Sequence, residues 1–145
     1  MIYYLDASAL VKEFVYESGS ERVVDIINSG YPIYSSVVVY PETLFALRRK
    51  KYRGEVTEDE FDQKVTKIED RWQSLNIVKL NQNILFLLRD RAIRYPLRAL
   101  DAIHLASVLW IKENIDAACK LVCSDDELIE YSKAEGLEVI NPEIL

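Results

Sequence analysis

The pattern of apolar and polar positions predicts helices that alternate with short buried strands. Residues 2–5 form an unbroken apolar and aromatic run, typical of a strand covered on both faces, and from Ala7 onward apolar residues recur at helical spacing. Further strands are predicted at residues 31–35, 76–80, 120–124 and 137–141. Strands separated by helical segments favour an α/β fold, with a central, mostly parallel five-stranded sheet flanked by helices.

Capping residues, prolines and glycines mark the predicted helix boundaries. Ser18 and Glu21 have the spacing of a capping box, as do Thr57 and Glu60, and Asn81 is placed to cap another helix. The predicted helices cover residues 7–15, 18–30, 37–53, 57–75, 84–94, 98–114 and 126–135. The order of the strands in the sheet is not readable from one sequence.

Length and composition indicate one folded domain spanning residues 1–145. Half of the residues are hydrophobic, which is enough for a substantial core. No apolar run reaches the roughly 18 residues of a membrane span, and the first residues do not resemble a secretion signal, so we expect a cytoplasmic protein with no membrane association. Cys119 and Cys123 lie in one extended segment and cannot bond each other, and a single His argues against a zinc site; we expect reduced, buried thiols.

The net charge restricts any nucleic-acid binding to a local patch. The formal charge is −6, from 24 acidic and 18 basic residues, which is unfavourable for nucleic-acid binding over the whole surface. Basic side chains concentrate in one run, which either ends a solvated helix in accord with its dipole or binds phosphates. The candidates for binding nucleic-acid phosphates in this run are Arg48, Arg49, Lys51 and Arg53.

Acidic side chains fall where predicted strands end and where helices begin. Asp6 follows the first strand, Glu42 lies in the first turn of the helix after the second strand, and Asp125 follows the fourth strand. In a parallel sheet these ends meet at one edge, so we expect the three carboxylates to converge. Asp116 precedes the fourth strand and should lie at the opposite edge. Taken singly, Asp6 and Asp125 could be helix caps and Glu42 a surface residue favoured by the helix dipole.

Asp101 is harder to explain without a functional role. It lies in a nearly all-apolar helix, where an unpaired buried carboxylate costs several kcal/mol. Since no Lys or Arg is adjacent to any of the four acids in sequence, the favoured partner of the cluster is Mg²⁺ or Mn²⁺, which prefers oxygen ligands. His104 follows Asp101 by three residues and is interpreted as a buried structural residue or an orienting contact, with a catalytic base as the less favoured alternative.

Other phosphate chemistries match the sequence less well. The four glycines are scattered singly, so there is no glycine-rich phosphate loop. A phosphatase of the haloacid-dehalogenase type would need a second Asp two residues after Asp6, where this chain has Ser8.

At these motifs the chain resembles the PIN-domain family, and within it the single-domain ribonuclease toxins of the VapC type. The resemblance rests on residues 5–10, on the segment 35–49 that contains Glu42, on residues 100–106 around Asp101, and on residues 122–128. In the family a Thr or Ser commonly stands two residues before the last Asp, whereas this chain has Cys123.

The resemblance implies a PIN-like three-layer fold and a Mg²⁺- or Mn²⁺-dependent endoribonuclease acting on an RNA substrate. It also implies a small antitoxin partner and a homodimer. A non-catalytic module that binds RNA or protein, and a small-molecule phosphohydrolase, remain alternatives. The residues implied to bind metal and act in catalysis are Asp6, Glu42, Asp101 and Asp125, with Ser8 and Ser124 supporting them.

Overall fold

The computed structural model, which describes residues 1–144, places the five predicted strands in one sheet. The strands are β1 (Ile2–Leu5), β2 (Ile33–Ser36), β3 (Asn76–Val78), β4 (Cys119–Val122) and β5 (Glu138–Ile140). Their order is β3-β2-β1-β4-β5, and every neighbouring pair is parallel, so the sheet is wholly rather than mostly parallel. The predicted α/β class is confirmed, with β1 at the centre of the sheet.

Helices cover both faces of the sheet and complete three layers. They are α1 (Ala7–Phe14), α2 (Ser20–Ile27), α3 (Val39–Tyr52), α4 (Glu58–Ser74), α5 (Gln82–Asp90), α6 (Ala99–Asn114) and α7 (Asp126–Ala134), with a 3₁₀ turn at Ala92–Arg94. None of the helices within residues 1–144 is long and apolar enough to cross a bilayer.

Alternating side chains of β1 supply both halves of the core. Leu5 packs with the helices α1 to α4, together with Val39 and Leu47 from α3. Tyr4 points to the other face, where it packs with α5 to α7 and with the buried Leu105. This two-sided burial explains why β1 has no polar position, since successive side chains of a strand point to opposite faces.

The predicted start of α2 was wrong, and the predicted helix 84–94 is α5 followed by the 3₁₀ turn. The capping box at Ser18 and Glu21 does not form, because α2 begins after Gly19, which has a left-handed φ of 90° and provides no side-chain cap. A Cβ at this glycine would lie 2.9 Å from the backbone of Pro142, so the close approach of the C-terminal segment excludes a side chain here. The capping box of Thr57, by contrast, is present.

The parallel sheet brings the starts of several helices to one edge. The carboxyl end of β1 leads directly into α1, that of β2 leads into α3, and that of β4 leads into α7. Asp116 precedes β4 and is exposed, so it lies at the opposite edge, as the sequence predicts. The predicted acidic residues therefore share an edge that this aspartate does not reach.

Candidate active site

Asp6 lies directly after the central strand, where it caps α1. Its Oδ1 accepts hydrogen bonds from the backbone N–H of Ala9 at 3.0 Å and from the hydroxyl of Ser8 at 2.7 Å. The side chain is buried, with 3% of its surface exposed. Burial raises the pKa of the Asp6 carboxyl above its usual 3.8, although the imidazole of His104 and the hydrogen bonds oppose this rise.

Three residues link Asp6 to the end of β4. The hydroxyl of Ser8 accepts a hydrogen bond from the backbone N–H of Ser124 at 3.0 Å, so Ser124 contributes through its backbone rather than its hydroxyl. The buried thiol of Cys123 donates to Asp6 Oδ2 at 3.2 Å and accepts from the N–H of Asp125 at 3.3 Å. Cys123 thus makes the contacts that a Thr or Ser hydroxyl could make at this position.

The two cysteines remain free thiols, but they differ in environment. Cys119 is only half-buried, which corrects the expectation that both are buried, and burial raises the pKa of its thiol to about 11. Burial and the nearby Asp6 charge raise the pKa of Cys123 much further. Cys123 therefore stays protonated and acts as a hydrogen-bond donor.

Asp125 and Asp101 each lie at the start of a helix. Asp125 caps α7 by accepting the backbone N–H of Leu128 at 2.9 Å. Asp101 is half-buried in the first turn of α6, whereas the fully buried stretch of that helix begins at His104. This corrects the interpretation that Asp101 lies within the apolar interior: it lies at the edge of the core.

Burial and the charges of the other acidic residues raise the pKa of Asp101. It is raised from 3.8 to about 6, first by burial and then by the charges of Asp125, Asp6 and Glu42. No side chain among residues 1–144 forms a hydrogen bond or an ion pair with the Asp101 carboxylate. The other three predicted acids therefore lie close enough to Asp101 to raise its pKa, and the imidazole of His104 opposes this rise without bonding the carboxylate.

Glu42 is held by a buried chain of aromatic side chains that sequence reasoning only partly anticipated. Its Oε1 accepts from His104 Nε2 at 2.6 Å, and the other ring nitrogen lies 2.7 Å from the hydroxyl of Tyr4. Both aromatic residues are at most 1% exposed. His104 is thus an orienting contact of Glu42. Tyr4 was missed, although a buried tyrosine usually needs a partner for its hydroxyl, and that requirement was the available signal.

The four acids match a divalent cation in chemistry but not in spacing. The four acids offer only oxygen donors, and in the described part of the chain no lysine or arginine pairs with them, which suits Mg²⁺ or Mn²⁺. Within residues 1–144, however, no three His, Cys, Asp or Glu side chains are spaced to hold a metal ion. Asp6, Glu42 and Asp125 each form a hydrogen bond with a neighbouring protein group. The chemistry of the site fits the ion, whereas the carboxylate positions do not enclose one.

The basic run on α3 divides into paired and unpaired residues. Lys50 lies 3.6 Å from Glu55, and Lys51 lies 4.0 Å from Glu58 and over the ring of Phe61. In contrast, no ion pair within residues 1–144 involves the remaining basic residues of the run, Arg48, Arg49 and Arg53. Of the four predicted RNA-binding residues, Lys51 is therefore already engaged by the protein.

The raised pKa of Asp101 predicts a pH-dependent gain in stability from Asp101→Asn. Below about pH 3.8 the Asp101 carboxyl is protonated in the folded and unfolded states, and above about pH 6 it is ionised in both. As the pH rises between these values, the unfolded state ionises first, so the folded state loses stability. Because Asp101 is only half-buried, solvent screening limits the effect. Above about pH 6, Asp101→Asn should raise the free energy of unfolding by about 1–2 kcal/mol relative to the wild type.

Thermal unfolding in EDTA measures this effect. The Tm difference between Asp101→Asn and the wild type should be near zero below about pH 3.8 and should reach a plateau above about pH 6. Asp116→Asn, at the opposite edge of the sheet, is the matched control and should show no such trend. A difference independent of pH would contradict the electrostatic explanation.

Comparison of the amino-acid sequence with known proteins finds a matching family model and related ribonucleases. The family model of the PIN domain matches residues 3–134. Ribonuclease VapC45 of Mycobacterium tuberculosis (strain CDC 1551 / Oshkosh) is 32% identical over 110 residues, which cover 76% of each protein. Ribonuclease VapC46 of Mycobacterium tuberculosis (strain ATCC 25618 / H37Rv) is 28% identical over 139 residues, which cover 96% of each.

Solved structures with low sequence identity share the fold. The chain aligns with a crystal structure of FitAcB from Neisseria gonorrhoeae with a TM-score of 0.70 and 16% identity, covering 100% of both chains. It aligns with VapBC2 from Rickettsia felis, bound to a DNA fragment from their promoter, with a TM-score of 0.66 and 16% identity, covering 97% of this chain and 98% of that one. At this identity the likeness concerns the fold alone. From the family model and the sequence relatives together, the chain belongs to the PIN-domain family.

Proposed function

We propose that the protein is a ribonuclease toxin of the VapC type, which hydrolyses RNA phosphodiester bonds as a single PIN domain. The observation that carries the proposal is the group of four acids at one edge of the sheet, in which the Asp101 carboxylate forms no hydrogen bond or ion pair with a side chain of residues 1–144. Sequence similarity to ribonucleases supports the substrate class. A fold alone would not support it, because one fold hosts many activities.

The proposed cofactor is Mg²⁺ or Mn²⁺, held by Asp6, Glu42, Asp101 and Asp125. When bound, such an ion would polarise the scissile phosphate and lower the pKa of a coordinated water. Ser8 orients Asp6 through the hydrogen bonds described above. Burial of Asp6 excludes bulk water from one side of the site, which strengthens electrostatic interactions there.

Cleavage of a labelled single-stranded RNA by purified protein tests the proposal. We expect cleavage with Mg²⁺ or Mn²⁺, none in EDTA, and products with 5′-phosphates, since attack by water needs no 2′-hydroxyl. A generic phosphomonoester should not be turned over. Equal cleavage in EDTA, or turnover of the phosphomonoester but not of RNA, would overturn the proposal.

Metal binding should also be visible as a gain in thermal stability. A ligand that binds the folded protein at a concentration 100 times its Kd adds about 2.7 kcal/mol to the free energy of unfolding. Titration with Mn²⁺ should therefore raise the Tm of the wild type, in part because the ion relieves the repulsion at Asp101. Asp116→Asn should respond as the wild type does, whereas Asp6→Asn combined with Asp101→Asn should lose most of the shift. An equal Tm shift in the wild type, in Asp116→Asn and in the double variant would mean that the ion binds at a different site.

A non-catalytic binding module is the second candidate. It is favoured by the absence, within residues 1–144, of three side chains spaced to hold a metal, and by the acidic net charge of −6. Metal-dependent cleavage by protein free of contaminating nuclease excludes this candidate.

The proposed biological setting follows from the toxin assignment. We propose a small antitoxin as the protein partner, a homodimer as the assembly and the cytoplasm as the location. The antitoxin partner is supported by a protein of similar fold, a toxin-antitoxin complex from Klebsiella pneumoniae. Co-expression with the product of a short adjacent reading frame, followed by co-purification and light scattering, tests the partner and the assembly.

A further inference from the structure

One face of α3 carries exposed aromatic and arginine side chains in alternation. Phe45, Arg49 and Tyr52 follow one another at spacings of four and three residues, so they share a helix face, and Arg53 lies beside them. Phe45 is 62% exposed and Tyr52 is 84% exposed. We refer to these four residues as the α3 stripe. It begins one turn after Glu42 on the same helix, so it leads away from the proposed active site.

A groove joins the α3 stripe to the acidic residues. Its volume is about 410 Å³, and its walls come from α1, α3 and the start of α6. Ser8 and Glu42 line the end at the acidic site, whereas Phe45, Arg49 and the half-exposed Leu100 line the rest. The groove is therefore continuous with the site and combines an apolar wall with a positive charge.

The charges at the groove favour a polyanion as the occupant. The chain carries a net charge of −6, and the four acids repel a phosphate that approaches the site directly. Arg49 and Arg53 form no ion pair within residues 1–144, whereas Lys50 and Lys51 on the same helix do. Two uncompensated arginines beside an acidic site provide the local attraction that phosphate groups would need.

The exposed aromatic residues restrict the occupant further. Unpaired bases stack on aromatic side chains, whereas the bases of an A-form duplex are stacked within the helix and do not offer their faces. We propose that the groove and the α3 stripe bind the single-stranded RNA next to the scissile phosphate, with a base stacked on Phe45 and a backbone phosphate at Arg49. This inference rests on the proposed ribonuclease function, which it extends to a mode of substrate binding.

Fluorescence anisotropy with a labelled single-stranded RNA in EDTA tests the binding without cleavage. Phe45→Ala should weaken binding about tenfold, since a stacking contact of this kind is worth a factor of that order. Arg49→Gln should weaken binding and also reduce the slope of log Kd against log salt concentration by about one, as expected for the loss of one phosphate contact. Phe45→Ala should leave that slope unchanged. An RNA duplex should bind the wild type more weakly than the single strand.

Two matched variants serve as controls. Arg89→Gln removes the same charge from an exposed arginine of α5, which forms no ion pair within residues 1–144. Phe86→Ala removes a phenylalanine that is 66% exposed on α5, in the other helical layer. Both controls should bind RNA within about twofold of the wild type. All variants change exposed side chains, and an unchanged Tm verifies that each one folds.

The outcomes separate this inference from the proposed function. Unchanged RNA binding by Phe45→Ala and Arg49→Gln would overturn it and leave the α3 stripe as a surface for a protein partner. An equal loss in the controls would also overturn it. If the α3 stripe variants lose RNA binding while the wild type fails to cleave RNA with Mg²⁺ or Mn²⁺, the binding surface stands and the catalytic proposal fails.

Discussion

Asp6→Asn combined with Asp101→Asn should reduce RNA cleavage by a factor of about 10³ or more, the order of loss seen when groups that stabilise a transition state are removed. The two substitutions remove two of the four negative charges that we propose hold the divalent cation. The fold should persist, because Asn is as good a helix cap as Asp and its amide oxygen can still accept the Ala9 N–H. The loss of activity would then report chemistry rather than unfolding.

Single-turnover cleavage of a labelled RNA with Mn²⁺ measures this effect, and circular dichroism and Tm verify the fold. Asp116→Asn is the control, since it removes a carboxylate from the opposite edge of the sheet. Cleavage by the double variant at the wild-type rate would show that these two acids have no catalytic role.

His104→Ala should lower the free energy of unfolding by about 3 kcal/mol, which combines a cavity in the core with the loss of buried hydrogen bonds. The ring is 1% exposed and contacts both Tyr4 and Glu42. Its removal takes away the ring nitrogen that bonds the Tyr4 hydroxyl and releases the Glu42 carboxylate. Urea denaturation of the variant and of the wild type measures the change.

Two further variants separate packing from positioning in this chain. Tyr4→Phe removes only the hydroxyl and should cost about 1 kcal/mol, because the ring still fills the core. His104→Gln retains a donor for Glu42 and should recover more of the Mn²⁺-induced Tm shift than His104→Ala does. If the Mn²⁺ response is the same in both His104 variants, the histidine is a packing residue without influence on Glu42.

Sequence reasoning predicted that acidic residues share one edge of the sheet, because the carboxyl ends of parallel strands lie together. Asp6 and Asp125 could be placed from the strand that precedes each of them, without knowledge of the strand order. The order itself, with β1 at the centre, depends on which strands pair across long stretches of chain, and no local pattern encodes it.

Local signals failed where residues distant in sequence come together. The capping box at Ser18 does not form, and Gly19 instead has a left-handed φ beside the backbone of Pro142, more than a hundred residues away. The partner of His104 was equally hidden: the periodicity of α6 places it beside Asp101, yet it bonds Glu42, 62 residues earlier in the chain. Long-range packing thus sets these contacts, and the local periodicity of the sequence does not predict them.

The central position of β1 has a consequence for folding. β1 pairs with β2 on one side and with β4 on the other, and its partners in β4 lie more than a hundred residues further along the chain. Cys123 and Ser124, which contact Asp6 and Ser8, follow that distant strand directly. Because such a non-local pairing must close a long loop, the surroundings of Asp6 are complete only once this slow pairing has formed, and a partly folded chain lacks them.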